Sequence, residues 1–310
     1  MRKAASQISL DLLEIFSEVV RHGSMSSAAR SLAMAPSSAA RKIAALEHEL
    51  NTRLFDRTTK SVLLTEAGAT ALTWAEEVLI SHGTLIDRLA AYQGEIKGTL
   101  RIVMNEYVCT VLLPQFLASF SSRHPLIRFA ITMTDAMVAP DDRSYDVAVH
   151  TGSVPDSGLR GMRIKDLQRI LCAAPSYLQE RGTPAKLSDL EQHACLVHLQ
   201  TPGGYWTFED NGVFTKQPIS QLLIANSYLP LIQFALQGMG LIRVSRGSVK
   251  EHLDSGELVQ VLPTYQCLNL DGSVPATWIL YPDGRMMEKT RKFIEELSGY
   301  LKTHALIVQG

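Results

Sequence analysis

Apolar positions recur at helical spacing through the first fifty residues. Leu10, Leu13, Phe16 and Val20 share a stripe behind Ser9, and Gly23 follows as a stop. Ser24 and Ser26 offer N-caps for a short alanine-rich helix, Ser27 to Leu32. Ala28, Ala29 and Leu32 would let another helix approach closely. After a turn at Ala33-Met34-Ala35, Pro36 is well placed to start a third helix that runs to about Leu50. Its apolar stripe is Ala39, Ile43, Leu46 and Leu50. The opposite face carries Ser37, Arg41, Ala44, Ala45 and His48, with Ser38 and Lys42 on a flank. Residues 53–64 read as strand, basic turn, strand. Thr65 then caps a long helix to about Gln93, before glycines at Gly94 and Gly98 that predict a hinge. In that helix Leu72, Leu79 and Ile86 repeat every seven residues, as do Ala71, Val78 and Leu85. Two adjacent heptad stripes predict a dimer seam. The plainer alternative is an amphipathic helix lying on its own domain.

From Thr99 the period changes. Strands are predicted over 100–104, 127–133 and 146–150, with a helix over 111–122 that Pro114 interrupts. A strand over 169–174, a helix over 175–181 and a short helix over 187–192 follow. Then come a strand at 196–197, a hairpin around Glu209-Asp210-Asn211-Gly212 and a strand over 222–225. Ser227 caps a helix to Gln237, strands follow over 241–244 and 278–281, and a helix spans 285–301. Alternation of strands with helices predicts a mostly parallel sheet.

A chain of 310 residues suggests two or three domains. Its 46% hydrophobic and 20% charged residues exclude long disorder and fibrous classes. No window approaches the roughly 18 apolar residues of a transmembrane helix. Asp11 and Glu14 interrupt any signal-peptide core, so a cytoplasmic location away from membranes is expected. Cys109, Cys172, Cys195 and Cys267 are far apart, which predicts reduced, mostly buried thiols. No metal spacing links the histidines, and no metal or cofactor is expected.

The net charge is −1, yet residues 1–60 carry +3 and the rest −4. Five of the nine cations there, Arg41, Lys42, Arg53, Arg57 and Lys60, fall on the third helix and on the hairpin. Two short helices joined by a tight turn, followed by a hairpin, make a winged helix-turn-helix. A small, polar outer face suits a helix that enters a major groove about 12 Å wide. Arg41 could fork onto a guanine edge or a phosphate. The candidate DNA contacts are Ser26, Pro36, Ser37, Ser38, Arg41, Lys42, Arg53, Arg57, Thr58 and Lys60. A solvated basic face is the bland alternative.

Ala28-Ala29-Arg30-Ser31-Leu32, Ala40-Arg41-Lys42-Ile43-Ala44-Ala45-Leu46-Glu47, Leu50 to Arg57 and Leu64-Thr65-Glu66-Ala67-Gly68 together resemble the LysR-type transcriptional regulator family. The likeness continues in Asp146-Val147-Ala148-Val149, Pro155 to Leu159, Cys172 to Leu178 and Gly256-Glu257-Leu258-Val259. The resemblance implies an α/β chain of three parts. Residues 1–65 form a winged helix-turn-helix DNA-binding domain and 66–93 a long linker and dimerisation helix. Residues 94–310 form a two-lobed, periplasmic-binding-protein-like effector domain, with lobe one at about 94–166 and 271–310 and lobe two at about 167–270. It further implies double-stranded promoter DNA as partner, a small-molecule effector, and homodimers that commonly pair into tetramers. The family usually has Ser, Gln and Ser where this chain has Ala35, Pro36 and Ala40, so Arg41 is expected to carry more of the sequence preference.

In such a cleft, ligands meet strand ends and helix N-termini. The candidates are Asn105, Glu106, Thr134, Asp135, His150 and Thr151 on one lobe, and Asn226, Ser227 and Arg243 on the other. Glu106 and Asp135 would repel an anion unless one pairs with Arg243 or faces away, so an effector other than a simple monoanion is expected. No nucleophile elbow, Walker loop or metalloprotease motif is present, and Gly238-Met239-Gly240 lacks a dinucleotide fingerprint, so an enzyme is not expected. The other class is a periplasmic-type small-molecule-binding protein without gene-regulatory activity. The N-terminal domain and the missing export signal argue against it.

Overall fold

The computed structural model describes residues 8–56, 62–91, 96–139, 142, 144–154, 160–283 and 286–304. The chain divides into two compact units, Met1–Glu95 and Ile96–Gly310.

In the first unit, α1 (Leu10–His22), α2 (Met25–Ser31) and α3 (Pro36–Glu49) precede a two-stranded ribbon, β1 (Phe55–Asp56) and β2 (Leu63–Leu64), and a long α4 (Glu66–Ala91). α1 stops where predicted, at Gly23 in the left-handed region (φ 60°). α2 starts two residues earlier than predicted. Ser24 is its cap, with Oγ accepting from Ser27 N at 3.4 Å, and Ser26 lies in its first turn. Ile15, Phe16, Leu46 and Leu54 are fully buried, and Ala28, Ala29 and Ala39 bring the three helices close. Each large side chain buried there contributes about 1.5–3 kcal/mol. Phe16 meets Phe55 edge-on at 5.4 Å, which joins the helices to the ribbon.

Thr65 caps α4 as predicted, its Oγ1 accepting from Gly68 N at 2.9 Å. A Cβ at Gly68 would sit 2.1 Å from the Leu54 carbonyl oxygen, so only glycine lets α4 begin here. Ala71, Leu72, Val78 and Leu79 pack on this unit's own core, as the plainer alternative had it. Farther along, Leu85, Ile86 and Leu89 are each more than half exposed. Gln93 and Gly94 lie outside the described residues.

The second unit holds two five-stranded sheets. The first lobe contains β3 (Gly98–Met104), α5 (Pro114–Arg123), β4 (Ile127–Met133), β5 (Val147–Gly152) and β6 (Arg160–Asp166). The second contains β7 (Arg169–Ala173), α6 (Pro175–Arg181), β8 (Ala194–His198), β9 (Tyr205–Asp210), β10 (Val213–Pro218), β11 (Ser220–Ala225), α7 (Tyr228–Leu236), β12 (Leu241–Ser245), α8 (Lys250–Asp254), β13 (Val259–Val261) and β14 (Gln266–Leu268). The chain then returns to the first lobe as β15 (Ala276–Tyr281) and α9 (Glu288–His304).

The sheet orders are β4-β3-β5-β15-β6 and β11-β8-β12-β7-β13, and β10-β9-β14 form a third, antiparallel sheet. In each large sheet four strands run the same way and one, β15 or β7, runs against them. β3, β4 and β5 run parallel, as do β8, β11 and β12, but β15 and β6 in one sheet, and β7 and β13 in the other, pair antiparallel. The reversed strands β7 and β15 are those by which the chain enters a sheet after crossing between lobes. β6 has no counterpart in the predicted elements, because its Arg160, Arg163 and Lys165 mask a strand at the sheet edge. The helix predicted over 111–122 begins only at Pro114, behind a π-helical turn at Val108–Leu112. A proline sits better at a helix start than inside one.

The first lobe's core lies between its sheet and α5 and α9, where Phe120 and Phe293 meet edge-on at 5.1 Å. In the second lobe Ile170, Leu196, Ile242 and Val244 face α7, while Leu171, Val197, Trp206 and Phe208 fill the other side. Among the described residues no helix is long and apolar enough to cross a membrane.

Candidate nucleic-acid interface and inter-lobe cleft

α3 buries Ala39, Ile43 and Leu46 and leaves Pro36, Ser37, Ala40, Arg41, Ala44, Ala45 and His48 exposed. Arg41 stays on that face, with Nη2 donating to Ser38 Oγ at 3.4 Å. Lys42 leans toward α1 and pairs with Asp11 at 3.4 Å, an exposed contact of small energetic weight. Ala35 occupies the N-cap position without a side-chain bond. Glu47 Oε1 accepts from Leu54 N at 2.8 Å and from Phe55 N at 3.3 Å, which ties α3 to the ribbon. Ser26 and Arg53 are exposed. Arg57, Thr58 and Lys60 lie outside the described residues.

Both lobes point the carboxyl ends of their parallel strands at one cleft. Asn105 and Glu106 follow β3, Thr134 and Asp135 follow β4, and His150 and Thr151 lie on β5. Opposite them stand His198 at the end of β8, Asn226 and Ser227 after β11, and β12. Several candidates are bonded to one another. Ser227 caps α7, accepting from Leu229 N at 3.2 Å, and donates its hydroxyl across the cleft to Glu106 Oε2. Asp135 Oδ2 meets His198 Nε2 at 3.2 Å, and its backbone oxygen accepts from Gln200 Nε2 at 2.5 Å. Gln200 N donates to His198 Nδ1 at 3.2 Å, which leaves Nε2 as the protonated nitrogen facing Asp135. The His198 ring stacks on Tyr228 at 4.4 Å. Tyr107, whose phenol is raised by burial and lowered by its hydrogen bond to Ser245, makes a further link across the cleft.

The other candidates serve their own lobe. Asn105 Nδ2 donates to Thr151 Oγ1 at 2.6 Å, and its Oδ1 accepts from Val108 N. Thr134 Oγ1 accepts from Ala136 N at 3.0 Å. His150 Nε2 lies 3.2 Å from the Ser153 carbonyl, and burial holds its imidazole below the ordinary value. Asn226 is exposed just before the α7 cap. Arg243 pairs with neither carboxylate. It turns into the second lobe, donates from Nη1 to the Leu268 carbonyl at 3.1 Å and lies over Trp206 at 5.7 Å. The sequence pointed to neither His198, Gln200, Tyr107 nor Tyr228. Their one shared signal is position, at a strand end or the start of a helix.

Three cysteines are buried and Cys109 is half-buried. Burial pushes the Cys172 and Cys195 thiols up to about 12 and that of Cys267 to about 11, so they are inert at neutral pH. Among the described residues no cluster of His, Cys, Asp or Glu could hold a metal ion.

Two family models match the chain. The bacterial regulatory helix-turn-helix of the lysR family covers residues 10–69, and the LysR substrate binding domain covers 93–302. The HTH-type transcriptional regulator YhjC of Escherichia coli is 31% identical over 94% of this chain and 97% of its own. The HTH-type transcriptional regulator CrgA of Neisseria meningitidis is 30% identical over 92% of this chain and 94% of its own. The full-length Vibrio cholerae virulence activator AphB superposes with a TM-score of 0.63 at 26% identity, over 94% of this chain and 99% of that one. A helix with an exposed, groove-sized face and a two-lobed α/β unit, matched by both models, make one conclusion plain: the chain belongs to the LysR family and is a transcriptional regulator with a helix-turn-helix DNA-binding domain and an effector-binding domain.

Proposed function

We propose that this regulator grips promoter DNA with the exposed face of α3, as a dimer or tetramer, and that a small molecule entering the inter-lobe cleft resets that grip. Residues 1–65 would read DNA, 66–93 would join subunits, and 94–310 would hold the effector. One observation carries the cleft assignment: Glu106–Ser227 and Asp135–His198 are bonds between lobes, made by side chains at strand ends. A ligand that enters must exchange those bonds for its own, and so biases how the lobes sit. A tenfold shift needs only about 1.4 kcal/mol of differential binding.

Self-association is supported by Leu85, Ile86 and Leu89 on α4 and by exposed apolar residues on the outermost strands. Ile131 and Met133 lie on β4, and Leu222 and Ile224 on β11. We assign the chain no catalytic role and place it in the cytoplasm, where promoter DNA is.

The test is footprinting and fluorescence anisotropy of the full-length protein on the DNA upstream of its own gene, at several salt concentrations. A paired protected site is expected, with a log–log salt slope of about −0.9 for each phosphate contacted. Weak protection indifferent to sequence would contradict the proposal.

A further inference from the structure

The stretch Arg53-Leu54-Phe55, between α3 and the ribbon, is held from two sides. From α3, Glu47 Oε1 accepts from Leu54 N at 2.8 Å and from Phe55 N at 3.3 Å. From the start of α4, Thr65 Oγ1 donates to the Arg53 carbonyl at 2.8 Å, and Thr65 N donates to the Leu54 carbonyl at 3.0 Å. The same Thr65 hydroxyl accepts from Gly68 N as the cap of α4. One side chain thus fixes both the first turn of α4 and the backbone that leaves α3. The fit is close on both arms of the hairpin, because a Cβ at Gly68 would lie 2.1 Å from the Leu54 oxygen and 2.9 Å from Leu64 Cδ2.

Within this stretch the side chains divide. Leu54 and Phe55 are buried, and Phe55 packs on Phe16. Arg53 is exposed. A cation is therefore displayed from a backbone that two helices hold in place. It follows the C-terminal end of α3, whose 14 residues carry it about 20 Å from Pro36. Base-reading side chains belong to the N-terminal turns of such a helix. A cation beyond its far end meets the phosphate backbone instead, and phosphate contacts set register and orientation. A contact displayed from a fixed backbone also loses less freedom on binding.

We propose that Glu47 and Thr65 are positioning residues for DNA binding, which hold Arg53 where it meets a backbone phosphate. This rests on the reading of α3 as the DNA-gripping helix and deepens it, since Arg53 is assigned to phosphate and not to a base. Thr65 also opens the helix that would join subunits, so it sets the phosphate contact and the departure of that helix together.

The test titrates full-length protein into two labelled duplexes, the DNA upstream of its gene and a scrambled sequence, between about 50 and about 200 mM salt. Tm is measured alongside. Arg53→Gln should lower the log–log salt slope by about 0.9 on both duplexes, so its loss of affinity over that range is about 3.5-fold smaller than the parent's. The preference for upstream over scrambled DNA should be unchanged. Thr65→Val, which keeps the side-chain shape and the backbone N–H, should lower the slope equally, as should Glu47→Leu. Thr65→Ser and Glu47→Gln keep the hydroxyl and the acceptor oxygen and should restore it. If Glu47→Leu does not fold, Thr65→Val decides. In an Arg53→Gln background Thr65→Val should change the slope no further. An unchanged slope in Arg53→Gln or in folded Thr65→Val overturns the proposal. So does a Thr65→Val effect on slope that persists in full without Arg53, because the bonds would then serve stability alone. A parent that binds neither duplex ends the regulator reading and this proposal with it, whereas a parent that binds, with slopes unaltered in the variants, ends this proposal alone.

Discussion

On α3, Ser37, Arg41 and His48 face solvent, whereas in the cleft Glu106, Ser227, Asp135 and His198 are spent on one another. The difference separates two kinds of recognition. A DNA-reading helix can be complete before it meets DNA, because the phosphate charge and the width of the major groove that admits a helix recur along every duplex. Its affinity comes from exposed cations, and its preference from a few forks such as Arg41. A ligand-responsive cleft must instead hold two arrangements of similar free energy. Bonds between lobes that a ligand can replace supply the second arrangement. Polar candidates are therefore exposed in one place and paired in the other.

The contrast breaks first in the cores. Phe16→Ala should destabilise the first unit by about 3–5 kcal/mol and leave the second unit's unfolding transition in place. Calorimetry of the full chain checks this, and a single transition that shifts as a whole would show the units to be one cooperative body. Arg41→Ala should then cost about 1–3 kcal/mol of discrimination between the operator and random DNA. Unchanged discrimination in an anisotropy competition would mean that Ser37 or the hairpin does the reading. Ala35→Ser supplies the missing N-cap of α3 and should stabilise the first unit by about 0.5–2 kcal/mol in chemical denaturation.

The smallest effect is on pH. Burial, reinforced by Arg169 and opposed by the Ser153 carbonyl and Asp135, lowers His150 below the ordinary 6.5. As pH falls below 6.5 the unfolded chain takes up that proton before the folded one does. Stability of the second unit is therefore full above that pH and declines below it. His150→Gln should flatten the decline, and denaturant midpoints between neutral and mildly acid pH measure it.

Much of the fold was legible where the signal is local. Pro36 and Gly23 bound helices by their own backbone preferences, and β4 begins and ends at Ile127 and Met133 as its apolar run predicts. The polar edge strand β6 was not legible, because Arg160, Arg163 and Lys165 are tolerated only where a sheet ends. Nor was the mixed character of the sheets, which depends on where β15 and β7 insert after the crossings. In the cleft, strand ends announced Asp135 and Ser227. Glu106 was announced in the same way, but nothing local could announce its pairing with Ser227, 121 residues away. Arg243 looked like a partner for a carboxylate by charge alone, and the register of β12 turns it away from both.

The central claim is that the cleft governs the grip on DNA. The most direct test compares footprints of the parent and of Ser227→Ala on the DNA upstream of the gene. Ser227→Ala removes the bond to Glu106 and leaves α3 untouched. The account predicts that both proteins protect the same operator, but that the variant changes the span of protection or the relative occupancy of the paired sites. Identical footprints at every protein concentration would contradict it.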